Sequence, residues 1–174
     1  MADERSTNLL GAFVLGAADL LRGGVEGATG YGGETPAALA TVGAEAGLSI
    51  AALQHVLRLS HPGTVRLVDR LVAEGLVERR AGTDGRTAAL FLTEAGVQRR
   101  EDVLAARRRG LGHLTATLTP AEGAQLEGLL EKLLGAMTET RAQWLSICRL
   151  CDEDACPAER CPVERCYRDR LERG

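Results

Sequence analysis

The sequence predicts a mainly α chain whose middle carries two short helices, a tight turn between them and a two-stranded β-hairpin behind. Three observations predict it. Apolar residues recur at helical spacing over most of the chain. The period changes only over residues 76–92, where LVERR and TAALFL flank the turn AGTDGR. Aromatics make up 3%, so the core must be built from Leu, Val and Ala, which suits helices.

The elements follow in order. Residues 8–21 form an amphipathic helix with Leu10, Phe13, Val14, Ala17 and Leu21 on one stripe. GGVEGATGYGG, residues 23–33, reads as a flexible connector. It lacks the Gly-Lys-Ser/Thr ending of a phosphate loop. Thr35 then caps a helix with Pro36 in its first turn, running to about Ala46, with Gly47 at the C-cap. A short helix follows Ser49 and buries Ile50, Leu53, Val56 and Leu57. Arg58 and Leu59 turn the chain, and Ser60 caps a second helix with Val65, Val68, Leu71 and Val72 inward. Thr93 caps a further helix to about Arg109. Thr119-Pro120-Ala121-Glu122 is a capping box opening a long helix. Its stripe is Leu126, Leu129, Leu130, Leu133, Leu134 and Met137, and Trp144 lies one heptad on.

This order predicts a winged helix-turn-helix with a two-stranded β-hairpin wing, and a helical dimerisation region from the N- and C-terminal helices. The expected units are a dimerisation helix and connector at 1–34, the winged helix at 35–110, dimerisation helices at 111–147 and a tail at 148–174. No apolar run reaches the roughly 18 residues of a membrane span. The charged start MADERSTN lacks signal-peptide order, so a cytoplasmic location and no membrane partner are expected.

Net charge is −3, but residues 55–109 hold 11 Arg against 7 acidic residues while the rest is acidic. A basic middle between acidic arms suits a module that meets DNA. The second helix of such a unit enters the major groove. Its stripe leaves Gly63, Arg66 and Arg70 outward, with Ser60, His61 and Thr64 at the N-terminal end, so these six are the candidate DNA contacts. On the hairpin tip, Arg86 is a candidate for the minor groove and Asp84 for orienting it.

The run SHPGTVRLVDRLVAEGLVERRAGTDGRTAALFLTEAG, residues 60–96, resembles the recognition helix, wing and following helix of the MarR family of regulators. The helix-to-strand junction, the Asp-x-Arg wing and the LTEAG helix start stand in one register. The resemblance implies a homodimer on a pseudo-palindromic double-stranded operator, terminal helices that interlock, and Arg86 as the family's minor-groove arginine. It also implies a transcriptional regulator, expected to be a repressor, with a possible small-molecule effector.

All five cysteines lie in the tail, as Cys148, Cys151, Cys156, Cys161 and Cys166, spaced C-x2-C-x4-C-x4-C-x4-C. Pro157 and Pro162 forbid a continuous helix there and favour a loop that points sulfurs at one centre. An iron–sulfur cluster sensing redox or iron state is the first reading, on Cys148, Cys151, Cys156 and Cys161, with Cys166 as spare or alternative ligand. Zinc on the same thiolates, or a thiol–disulfide switch, are the alternatives. A cluster at the end of the dimer helix would alter the spacing of two winged helices. An iron–sulfur electron-transfer protein would explain the tail but not the basic helices. No hydrolase, metalloprotease or nucleotide-binding motif is present, so an enzyme is not expected.

Overall fold

The computed structural model describes residues 3–82 and 87–173. Eight helices and three strands follow in the order α1 (Glu4–Thr29), α2 (Thr35–Ala44), β1 (Leu48–Ser49), α3 (Ile50–Leu57), α4 (His61–Ala73), β2 (Val77–Ala81), β3 (Ala88–Leu92), α5 (Glu94–Thr115), α6 (Pro120–Ala136), α7 (Arg141–Cys148) and α8 (Pro162–Arg173). The fold is a mainly α winged helix-turn-helix, α3 and α4 followed by the β2–β3 wing, with long helices on either side.

The wing belongs to a three-stranded antiparallel sheet, order β1-β3-β2. Leu48 pairs with Leu90 on one side of β3, and Arg79 pairs with Leu90 on the other. The two-residue β1 is too short to leave an alternating pattern, which is why the sequence reads only a hairpin. Beneath the sheet lies the main core, where Leu39, Leu53, Val68, Leu71 and Leu90 are sealed from solvent.

The expected glycine connector is a correction. α1 continues through Gly23, Gly24 and Gly27 to Thr29. Gly30, at φ 74°, turns the chain out in a left-handed conformation that glycine adopts without a Cβ penalty. Each interior glycine disfavours helix by about 1 kcal/mol. Burial outweighs this: Val25 packs against Val103 and Ala106 of α5, and Thr29 is buried with its hydroxyl on the Val25 carbonyl. By length and composition alone α1 is apolar enough to cross a membrane; here it lies along α5.

Thr35 is not the cap of α2; Glu34 holds that position and Thr35 is buried in the first turn. The long helix expected from Ala121 to Trp144 is also two. α6 ends at Ala136, and α7 begins with its own capping box of Thr140 and Gln143. Between them Thr138 is fully buried, its hydroxyl turned back to the Leu134 carbonyl. Pro162 does break the chain, but as the first residue of α8, where its missing N–H goes unused. Trp144 and Tyr167, ring centroids 5.5 Å apart, join α7 to α8.

Candidate DNA-reading face and thiol cluster

Ser60 fixes the start of α4. Its extended backbone and its hydroxyl, which accepts from the Gly63 amide at 3.3 Å, cap the helix. Arg58, at φ 55°, makes the turn from α3. The inward face is Thr64, Leu67, Val68 and Leu71. Thr64 is therefore a correction: it is fully buried, and its hydroxyl is satisfied by the Ser60 carbonyl at 3.1 Å. A threonine that bonds back to its own helix can sit in an apolar stripe.

The outward face carries His61, Arg66 and Arg70, with Gly63 half-buried. His61 Nδ1 lies 3.2 Å from Gln54 Oε1 of α3. Arg66 is exposed and its side chain makes no hydrogen bond or ion pair among the described residues. Arg70 is engaged: its Nη2 donates to the buried Thr35 hydroxyl at 2.7 Å, tying α4 to the start of α2. Asp69 of α4 pairs with Arg79 of β2 at 2.7 Å. The hairpin tip, with Asp84 and Arg86, lies outside the described residues. At the base of the wing the Arg80 guanidinium sits 4.4 Å from the Phe91 ring centroid, a contact no sequence period signals.

The cysteine segment folds back in short turns. The Cys151 amide meets the Cys148 carbonyl at 2.8 Å, Cys156 meets Asp152 at 3.0 Å, and Cys161 meets Pro157 at 3.0 Å. Cys148, Cys151, Cys156 and Cys161 line one groove of about 580 Å³ with Thr41, Ala44 and Trp144. All five thiols are free. Cys148 is pushed up by a hydrogen bond shared with Cys151, then by burial and by Cys161. Cys151 is pulled down by its hydrogen bond with Cys148 and by the nearby Arg107 charge. Cys156 is pushed up by burial and then by Cys161. Cys166 faces elsewhere, its Sγ 3.2 Å from the Gly135 carbonyl at the end of α6. Among the described residues no three His, Cys, Asp or Glu side chains are gathered as a metal site.

The segment starts at the end of a helix, Cys148 being the last residue of α7. It is wedged against the winged helix of its own chain. Leu150 packs with Val25, Val103 and Ala106, Asp152 is buried and pairs with Arg108 at 2.7 Å, and α7 packs on α3. A second cavity, of about 550 Å³, lies between α1, α2 and α5 and is lined by Leu21, Arg22, Tyr31, Arg107 and Cys151.

The MarR family model matches residues 30–87, from the turn after α1 to the start of β3. Apo MarR of E. coli has a similar structure, with a TM-score of 0.62 and 27% identity over 74% of this chain and 96% of that one. YusO of Bacillus subtilis gives 0.64 at 23% identity, over 76% and 96%. A MarR family protein of Mycobacterium tuberculosis, solved with p-aminosalicylic acid, gives 0.56 at 24%, over 71% and 97%. No curated protein matches the chain in sequence. The MarR family model thus covers the helix-turn-helix and the first strand of the wing, and the fold is similar to solved MarR regulators over some three quarters of the chain, which carries in addition a Cys-rich C-terminal segment.

Proposed function

We propose that this chain is a homodimeric, sequence-specific DNA-binding repressor of transcription in the cytoplasm, not an enzyme. The observation that carries the reading is α4. One face is sunk in the core, and the opposite face presents His61 and Arg66, the latter without a partner among the described residues, beyond a well-formed N-cap. A helix so held can enter a major groove. Arg66 is then free for a base edge or a phosphate. A second copy covers the apolar residues that α1 and α6 leave exposed, Phe13, Val14, Leu15, Leu129, Leu133 and Met137 among them. Two-fold pairing makes the operator pseudo-palindromic. The test is a gel shift on DNA from the region upstream of its own coding sequence, over a salt series. Affinity that falls steeply with salt supports the reading. No salt-sensitive binding would discredit it.

The same proposal gives Cys148, Cys151, Cys156 and Cys161 to an iron–sulfur cluster that reports redox or iron state. Four thiols line one groove with the fifth turned away, which is the number of donors such a cluster takes; to hold it they would have to draw closer together than they stand. When bound, the cluster supplies a reversible one-electron change beside α2 and α5. The residues of the chain hold the thiols in place through the turns at Cys148, Asp152 and Pro157. Brown colour with visible absorption from protein purified without oxygen supports iron; colourless protein with bound zinc selects the zinc reading. The cavity beside Tyr31 and Arg107 suits a small aromatic acid as effector, the class of ligand in the Mycobacterium tuberculosis structure.

A further inference from the structure

The turn between Cys148 and Cys151 touches the element that backs the recognition helix. Arg149, between the two thiols, accepts from Thr41 Oγ1 of α2 at 3.4 Å through its carbonyl. Its guanidinium Nε lies 3.9 Å from Glu34 Oε2, at the cap of α2. Glu34 is joined by a rigid peptide unit to Thr35. Thr35 is the acceptor that holds Arg70 of α4 at 2.7 Å. On its other side the turn is anchored, Leu150 in the cluster with Val25 and Val103, Asp152 on Arg108 of α5. A displacement of the turn therefore has a fixed side, α5, and a polar, half-exposed side, Glu34.

We propose that the thiol site acts on DNA binding within one protomer by this route: Arg149 sets Glu34, and Thr35 beside it sets whether Arg70 stays on α2 or reaches the DNA. Arg70 has one guanidinium and is seen here on Thr35, so in this proposal the start of α2 is the element whose second arrangement would release it. The inference rests on the reading of the four cysteines as a ligand site. It replaces a change in spacing between two subunits with a change inside each one.

The full chain, reconstituted with ferrous iron and sulfide without oxygen, is compared with the same protein stripped by chelator. Iron per chain and DNA affinity are both measured. The wild type differs between the two states by about tenfold in affinity, within the usual span of coupling between sites. Arg149→Gln and Thr35→Val keep the iron content but reduce that ratio to within about twofold. Thr35→Ser keeps the hydroxyl and restores the ratio, which a purely structural role for the site would not require. A wild-type ratio of one overturns the sensing reading, and this route with it. A wild-type response that Arg149→Gln and Thr35→Val both retain overturns the route through α2 alone.

Discussion

Gly96 lies so close to the Leu76 carbonyl that a Cβ on it would stand 1.9 Å from the oxygen. The contact joins the first turn of α5 to the residue before β2. Thr93 reinforces it, its amide on the Leu76 carbonyl at 3.1 Å and its hydroxyl on the Gly75 carbonyl at 2.6 Å. Backbone on both sides cannot give way cheaply. Gly96→Ala is expected to destabilise the fold by about 2–3 kcal/mol, the upper part of the range for overpacking a core. At Gly43 the near atoms belong to the side chains of Arg100 and Leu92, which can swing. Gly43→Ala is therefore expected to lower the urea midpoint by less than half as much. Equal shifts would show that the Leu76 contact is not the constraint.

Glu122 closes the capping box of α6. Its carboxylate accepts from the Thr119 amide at 2.8 Å and the Thr119 hydroxyl at 2.7 Å. Those two bonds hold its pKa below the ordinary glutamate value. The folded-state value is depressed, so the support is present above the unfolded value of about 4.3 and is lost as pH falls through the lower, folded one. Amide exchange in the first turn of α6 should rise below about pH 4 in the wild type, after correction for intrinsic rates. In Glu122→Ala it should be fast at every pH.

Much of this was legible because its causes are local. Ser60, Thr93 and Thr119 each cap a helix where the sequence puts one, since a cap is chemistry within three residues. The expected stripe of α4 differs from the buried one at two positions, Thr64 and Leu67 lying inward where Val65 and Val72 are expected. Hydropathy counts Thr64 as polar, whereas the folded helix satisfies its hydroxyl and buries it. The glycines of α1 were read by propensity, and the burial of Val25 against α5 has no sign in the window around it. Likewise the cysteine spacing shows that the sulfurs can converge, but nothing in the tail announces that Arg149 meets Glu34 or that Asp152 meets Arg108.

Arg66 and Arg70 should separate in function. Arg66 is free of partners among the described residues, so Arg66→Ala should leave thermal stability within about 0.5 kcal/mol, as exposed sites do. It should weaken DNA binding, and if the contact is a phosphate the salt slope falls by about 1. Arg70→Ala also removes the bond to Thr35 and leaves that buried hydroxyl without its donor. It should cost about 1–2 kcal/mol of stability as well as affinity. Identical stabilities for the two variants would mean that the Arg70–Thr35 bond is not formed in solution.

The exposed apolar faces of α1 and α6 predict where the copies join. α6 buries none of its own residues, and Phe13 and Leu133 are 53% and 43% exposed. A charge at either position would be desolvated in a dimer and solvated in a monomer. Phe13→Glu and Leu133→Glu should sediment as folded monomers at concentrations where the wild type is a dimer. Their DNA affinity should drop by more than tenfold, because each chain then grips one half-site. Dimers of unchanged stability would move the interface elsewhere.

The cysteines give the sharpest contrast, because two of them, with residues 162–165 between, face apart. Cys161 is 7% exposed and lines the groove with Cys148, Cys151 and Cys156. Cys166, on α8, donates to the Gly135 carbonyl at the end of α6. A serine at either position is smaller and a poor ligand for a soft metal centre. Cys161→Ser should abolish iron or zinc uptake measured per chain by elemental analysis. Cys166→Ser should keep full metal content and differ from the wild type only by a small loss of stability, since the serine hydroxyl can make the same bond to Gly135. Metal lost from Cys166→Ser and kept in Cys161→Ser would reverse the assignment and place the fourth ligand on α8.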